Sequence, residues 1–340
     1  MKKRLFSELQ YVFLSLFAIA SLLCIPSFVK AAPPIELKLG HTDPATEDDP
    51  YDITARKFGS LIEQYSNGKY KVNVFPNNQL GSEREMIKNL TMGSMDLAVI
   101  TNAVVGSFVS SNMALDLPFI FPERQVAHAV LDGEVGEMLL SKLDKLQIKG
   151  LAFSEGGFRH MINNVRPIKT PEDTKGIKFR VMQTPIYIGM FQSLGSNAVP
   201  MPWGEVFTAT QQKVIDGLEI PIPVIYASKY YEIVKYLSLT NHTYSPLIIM
   251  CSQQRWNKLP ANEKDIFKRA AREAVLYERG ALNGILESSL QKIKAAGMIV
   301  NDVPNKKPFQ EAVAPMYKKF EGEIGKDILD SVIKARDAYR

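Results

Sequence analysis

Ile35-Glu36-Leu37-Lys38-Leu39-Gly40-His41-Thr42-Asp43-Pro44, then Phe58, Leu61, Ile62 and Tyr65, then Tyr70-Lys71-Val72-Asn73-Val74-Phe75, set the fold class of this chain. Ile35, Leu37 and Leu39 alternate with polar neighbours, the two-residue period of a strand, and the run stops at a turn-rich segment. Phe58, Leu61, Ile62 and Tyr65 recur at i, i+3, i+4 and i+7, which predicts an amphipathic helix closed by the Asn67-Gly68 turn. Tyr70, Val72 and Val74 restore the period of two before Pro76. Ser82-Glu83-Arg84-Glu85 is a capping box in front of Met86, Ile87 and Leu90, and Asp96 to Ile100 reads as a buried strand. A β-α-β-α-β order with short connections predicts a three-layer α/β domain with a largely parallel sheet.

Further along, a helical stretch runs from about Gln125 to Leu146, and Leu151-Ala152-Phe153 resumes strand character. Thr170-Pro171-Glu172-Asp173 combines an N-cap, a first-turn proline and acidic residues, the start of a short helix. Ile177 to Val181, Ala198 to Met201 and Ile215 to Glu219 read as short strands separated by helices near 186–193 and 203–213. The alternation has begun again, so two α/β lobes are expected. From Pro260 to about Ala296 the chain favours helix, with Gly280 and Gly284 inside and Gly297 at the C-terminal cap position. A single helix of that length reaches about 50 Å and could lie across both lobes; the alternative is two helices broken at the glycines.

The chain has 340 residues, 46% hydrophobic and 23% charged, and a formal charge of +5 that is spread along the sequence instead of massed in a basic stripe. Nucleic-acid binding is therefore not expected. Residues 1–31 open with Lys2, Lys3 and Arg4, run apolar from Tyr11 to Ile25 and end at Val29 and Ala31, the layout of a secretory signal peptide cleaved after Ala31. A lipoprotein reading at Cys24 lacks the small residue it needs, because Leu23 precedes it. Cleavage removes four basic residues and one acidic one, so +5 becomes +2, and it leaves Cys251 as a partnerless, buried thiol. His41, His128, His160 and His242 have no metal-ligand spacing, and no P-loop, GxSxG elbow or GxGxxG follows a strand. No metal, cofactor or catalytic apparatus is expected.

Arg180 ends the strand Gly176-Ile177-Lys178-Phe179-Arg180-Val181, and Arg159 is read in a turn, Gly156-Gly157-Phe158-Arg159-His160. Ligands of open α/β sheets bind at strand ends, and the planar guanidinium fork suits a carboxylate. The plain alternative is a surface or interdomain salt bridge. Gln79-Leu80-Gly81, Gly93-Ser94-Met95-Asp96, the Arg180 strand, Pro200-Met201-Pro202-Trp203-Gly204-Glu205-Val206 and Gln211-Gln212-Lys213-Val214-Ile215-Asp216-Gly217-Leu218-Glu219 follow one another in an order and spacing that resembles the DctP-like solute-binding proteins of tripartite ATP-independent periplasmic (TRAP) transporters. The resemblance covers residues 35–335.

That resemblance implies an α/β, two-lobed periplasmic binding fold of the type II kind, each lobe a sheet flanked by helices, closing on a small organic acid. Residues 32–155 with about 243–259 would form one lobe and 156–242 the other, with the helices of 260–340 packing on both. It implies Arg180 as the carboxylate clamp and Arg159 as a second basic contact. Gln183, Glu83, Thr101, Asn102, His41 and Thr42 would line the site, and Trp203 would offer a flat apolar face. Many members follow Glu219 with Asn-Pro; here Ile220-Pro221 removes an amide contact. With Glu219 or His242 as further hydroxyl readers, the implied solute is a monocarboxylate sugar acid, a hexuronate such as glucuronate or galacturonate first and an aldonate next. C4-dicarboxylate, sialic acid, or an exported lyase or isomerase using Glu83 or His41 as base are the alternatives. The implied partners are the TRAP permease subunits or a sensor receptor, and a monomer that is not an enzyme is expected. His128 and Cys251 are assigned to structure.

Overall fold

The computed structural model describes residues 33–339, so the expected signal peptide lies outside the described residues. β1 (Ile35–Gly40), α1 (Pro50–Tyr65), β2 (Tyr70–Phe75), α2 (Glu83–Met92) and β3 (Leu97–Thr101) follow in the order that periodicity predicts. Asp49 caps α1 by accepting from the Tyr51 and Asp52 N–H groups, and Ser82 with Glu85 completes the capping box of α2. α3 (Asn102–Gly106), α4 (Arg124–Asp132) and α5 (Glu134–Ser141) then lead into β4 (Ile148–Asn163). A second unit follows as β5 (Lys178–Val181), α6 (Pro185–Ser193), β6 (Asn197–Pro200), α7 (Trp203–Gln211), β7 (Gly217–Pro221) and α8 (Ile222–Ala227). β8 (Tyr236–Ser252), α9 (Gln253–Lys258), α10 (Ala261–Ala295), β9 (Ile299–Asp302), α11 (Lys307–Val313), α12 (Pro315–Ile324) and α13 (Lys326–Asp337) complete the chain.

The strands form one hydrogen-bonded path, β2-β1-β3-β8-β4-β7-β5-β6, with β9 added beside β8. Each β-α-β unit is parallel within itself. The middle is antiparallel, because β4 and β8, of 16 and 17 residues, run through the whole sheet and join the two ends. The expectation of a largely parallel sheet is thus corrected to a mixed one. The expected turn at Gly156–His160 is also corrected, since these residues lie inside β4. The β4/β8 register shifts between Glu155 and Gly157 and again between Arg159 and Met161, and Gly157 takes φ +100°, which a side chain would resist.

Two helical expectations change as well. The stretch from Gln125 to Leu146 breaks at Gly133, whose backbone is extended, into α4, α5 and a 3-10 turn. The start at Thr170-Pro171 carries only a 3-10 turn, Pro171–Thr174. α10, in contrast, is one helix of 35 residues. Near its start Phe267 meets Phe58 of α1 edge to face at 6.4 Å, and near its end Ile293 packs with Leu218 of β7 and Ile222 of α8, so it ties the two units together. Phe309, Met316, Phe320 and Val332 of the last three helices pack with Met190 and Phe191 of α6. Cys251 is buried beside Leu97 in the sheet, and burial pushes its thiol pKa up. Among the described residues no helix is long and apolar enough to cross a membrane.

Gly280 and Gly284 are exposed within α10, and nothing lies within 4 Å of where a Cβ would stand on either. Gly280→Ala and Gly284→Ala should each stabilise the fold by roughly 0.5–1 kcal/mol, because the helix is intact and glycine enlarges only the unfolded ensemble. Chemical denaturation checks this; a loss of stability would show that the helix needs a flexible point there.

Candidate functional site

The C-terminal ends of β1, β3, β5 and β7 converge on a small cavity of about 30 Å³. Strand ends and helix starts leave backbone groups and short side chains free to face inward there, which is why open α/β sheets bind ligands at this edge. The first unit contributes Thr42, Asp43, Tyr51, Glu83 and Thr101, and the second contributes Arg180, Met182, Trp203, Ile220, Pro221 and Val224. The through-running strands supply Gly156, Arg159 and Ser245. A Cβ on Gly156 would stand 3.0 Å from the Ser245 carbonyl oxygen, so glycine lets the two strands close up beneath the cavity.

Arg159 donates from Nε and Nη2 to the two carboxylate oxygens of Glu219, at 2.5 and 2.9 Å. Nη2 also reaches the Glu219 carbonyl at 2.6 Å, and Nη1 reaches Ser245 Oγ at 3.2 Å. Burial pushes the Glu219 carboxyl up, but Arg159 and His242 outweigh it and hold the group below the usual carboxylate range. The pair is buried and internally neutral.

Arg180 is different. Nε and Nη2 donate to the Met201 carbonyl at 3.0 and 2.8 Å, and the guanidinium carbon sits 5.7 Å from the Trp203 ring centroid. It is 3% exposed, and among the described residues no carboxylate lies within ion-pair distance of it. Burial lowers its pKa, with Arg159 adding repulsion and Glu219 opposing both. One buried guanidinium therefore faces the cavity without a counterion.

Two acids on the same cavity wall hold their protons more tightly than usual. Glu83 opens α2, and its Oε1 accepts from the Thr101 N–H at 2.8 Å; burial raises its pKa to about 8. Burial likewise raises Asp43 to about 6. Thr101 Oγ1 is buried with no hydrogen-bond partner. Among the described residues no group of His, Cys, Asp and Glu side chains is arranged to hold a metal ion.

Of the residues singled out in the sequence, Arg180, Arg159, Glu83, Thr42, Thr101 and Trp203 share the cavity wall. Gln183 lines an adjoining crevice with Arg180 and Trp203, and its carbonyl accepts from Arg84 Nη2 at 2.8 Å. Four others lie behind the wall, each engaged elsewhere. Glu219 is taken up by Arg159. His242 bonds Glu219 through Nε2 at 3.3 Å and Thr240 through Nδ1 at 2.7 Å. His41 Nε2 meets Asp52 at 3.3 Å, and Asn102 Nδ2 donates to Asn112 O and Asp116 Oδ2. Asp43, Tyr51, Met182, Val224 and Ser245 are wall residues that sequence reasoning missed. The strand-end rule could have found Asp43 and Tyr51, which flank the turn after β1, whereas Ser245 belongs to a strand with no clear periodicity.

A carboxyl raised from 4.5 to about 8 on folding binds more protons folded than unfolded in that window, so its contribution to stability is full below pH 4.5 and is lost as pH climbs towards 8. Glu83→Gln should flatten the pH dependence of the melting temperature, the gain over wild type growing with pH; parallel curves would sink the assignment. Glu219→Ala strands the Arg159 charge in the interior and should cost about 3–5 kcal/mol by chemical denaturation, while a near-neutral effect would mean that Arg159 reaches water.

Residues 40–323 match the family of bacterial extracellular solute-binding proteins, family 7. The 2,3-diketo-L-gulonate-binding periplasmic protein of Escherichia coli is 33% identical over 84% of this chain and 88% of its own. The sugar acid binding protein of Advenella mimigardefordensis in complex with galactonate superposes with a TM-score of 0.87, at 33% identity over 90% of this chain and 99% of that one. A TRAP periplasmic solute-binding protein of Bordetella, whose site density is interpreted as pantoate, gives 0.85 at 38% identity over 88% and 99%. With its mixed sheet, its spanning helix and a cavity at the strand ends, this chain belongs to the bacterial extracellular solute-binding proteins of family 7, the DctP-like binding proteins of TRAP transporters.

Proposed function

We propose that this protein captures a small hydroxylated acid with one carboxylate, a sugar acid, and delivers it to the membrane permease of a TRAP transporter. The observation that carries the reading is Arg180, a guanidinium removed from water with no carboxylate beside it. Such a group is costly to bury, and an arriving carboxylate relieves that cost through charge-assisted bonds. A second carboxylate would find Arg159 already occupied by Glu219, which favours a monocarboxylate over a C4-dicarboxylate. Galactonate on the Advenella protein and diketogulonate on the Escherichia coli protein support the sugar-acid class. Within it, a hexuronate is the first candidate and aldonates are the next.

On this reading residues 32–155 with about 243–259 move against 156–242, and the helices of 260–340 pack on both. The glycine pair and the register shift in β4 lie at that border. A solute held by Arg180 on one side and by Glu83 and Thr101 on the other favours the closed state by its differential affinity. The protein works in the periplasm as a monomer after removal of its signal peptide, without metal or cofactor, and binds no nucleic acid. It does not transform its solute.

Calorimetry and thermal shift with glucuronate, galacturonate, galactonate, pantoate and succinate test this. At least one hydroxylated monocarboxylate should raise the melting temperature of the wild type. Arg180→Ala should weaken binding roughly thirtyfold or more, in line with the 2–5 kcal/mol typical of losing one partner of a buried charge pair, and Arg180→Lys should not restore it. A response to succinate alone would overturn the monocarboxylate reading. Consumption of the solute over hours, followed by NMR, would instead favour an enzyme with Glu83 as base.

A further inference from the structure

The two lips of the cavity differ in chemistry. Thr42, Asp43, Tyr51, Glu83 and Thr101, all from the first unit, present hydroxyls and carboxyls, and Thr101 Oγ1 is buried there without any partner. Met182, Trp203, Ile220 and Val224, all from the second, present carbon. Ile220 is 2% exposed and packs among Leu218, Ile222 and Val224, so the wall behind it is apolar in depth. Arg180 stands on the apolar lip, held by Met201 and stacked against Trp203.

We propose that the solute is two-faced and that Ile220 is its specificity-determining residue: hydroxyls on the face turned to Thr101 and Glu83, bare hydrocarbon on the face turned to Ile220, Val224 and Trp203. The inference rests on the carboxylate reading above and goes further, since a carboxylate clamp alone does not say which acids are refused. A hydroxyl pressed against Ile220 and Val224 loses its water and finds no acceptor, while a C–H or methyl surface loses nothing there. Meanwhile the unpartnered Thr101 hydroxyl gains a bond only from a solute carrying oxygen on the opposite face.

A hydrocarbon face can come from two sources. The ring of a pyranose uronate exposes C–H groups on one side, and a short hydroxy acid can carry methyl branches on its chain. A fully hydroxylated open-chain aldonate has oxygen on both edges and offers neither.

Titration calorimetry of the full mature chain with galacturonate, pantoate and galactonate separates these. Galacturonate or pantoate should bind at least about tenfold more tightly than galactonate, the effect of one hydroxyl buried unpaired. A preference for galacturonate identifies the ring face as the source, and a preference for pantoate identifies methyl branching. Ile220→Asn should narrow or reverse the gap, while Ile220→Val should keep it. Should Ile220→Asn fail to fold, Val224→Thr serves the same purpose, and the wild-type ranking decides by itself. Galactonate binding as tightly as the other two, or a gap unchanged by the polar variants, overturns the two-faced site and leaves the carboxylate reading standing. Absence of binding by all three acids overturns both.

Discussion

A guanidinium placed in a protein interior requires an anion, and this chain meets that requirement for Arg159 and leaves it open for Arg180. The difference is made by Glu219. Its carboxylate grips Arg159 through two nitrogens, and His242 and Thr240 stand in line behind it, so the first arginine is fixed in place and its charge cancelled. Arg180 receives only a carbonyl dipole and an aromatic face, which orient the group without neutralising it. On the proposed reading, preorganisation of this kind keeps the charge aimed before a solute arrives, so little ordering is left for binding itself.

That arrangement depends on two strands that traverse the whole sheet. β4 and β8 bring Gly156, Arg159 and Ser245 to the cavity floor, while the β-α-β units on either side bring their strand ends to its lips. Bulges in β4 fall beside Arg159, and each bulge turns the strand and re-aims a side chain. α10 then runs about 50 Å by its residue count along both units, so any motion between them must bend or slide against that helix.

The parts legible in sequence were those ruled by short-range periodicity. Ile35, Leu37 and Leu39, the helix face of Phe58 to Tyr65 and the capping box at Ser82 announced the first unit, and the second unit repeated the same signals. β8 was illegible because Thr240-Asn241-His242-Thr243-Tyr244-Ser245-Pro246 has no apolar alternation to mark a strand. Those polar side chains are mostly buried by tertiary neighbours that local pattern cannot see. The same blindness affected the site. The family resemblance placed Glu219, His242, His41 and Asn102 among solute contacts, and in the structure each hydrogen-bonds another buried group. Arg180 and Glu83, which do line the cavity, stand at a strand end and a helix start, positions that sequence marks directly.

A clamp common to every carboxylate raises affinity for all of them and discriminates among none, because specificity is a difference of affinities. On the proposed reading Arg180 sets the charge of the solute, and selection then passes to the neutral contacts. Glu83, held protonated by burial, can donate as well as accept, and the unpartnered Thr101 hydroxyl adds a demand for oxygen on one side. In the proposed two-faced site Ile220 and Val224 impose the opposite demand, because an unpaired hydroxyl is penalised more heavily than a missing methyl group. If the two demands act on opposite faces of one small molecule, as proposed, the separation between the polar and apolar lips, more than the arginine that draws the acid in, decides which acid stays.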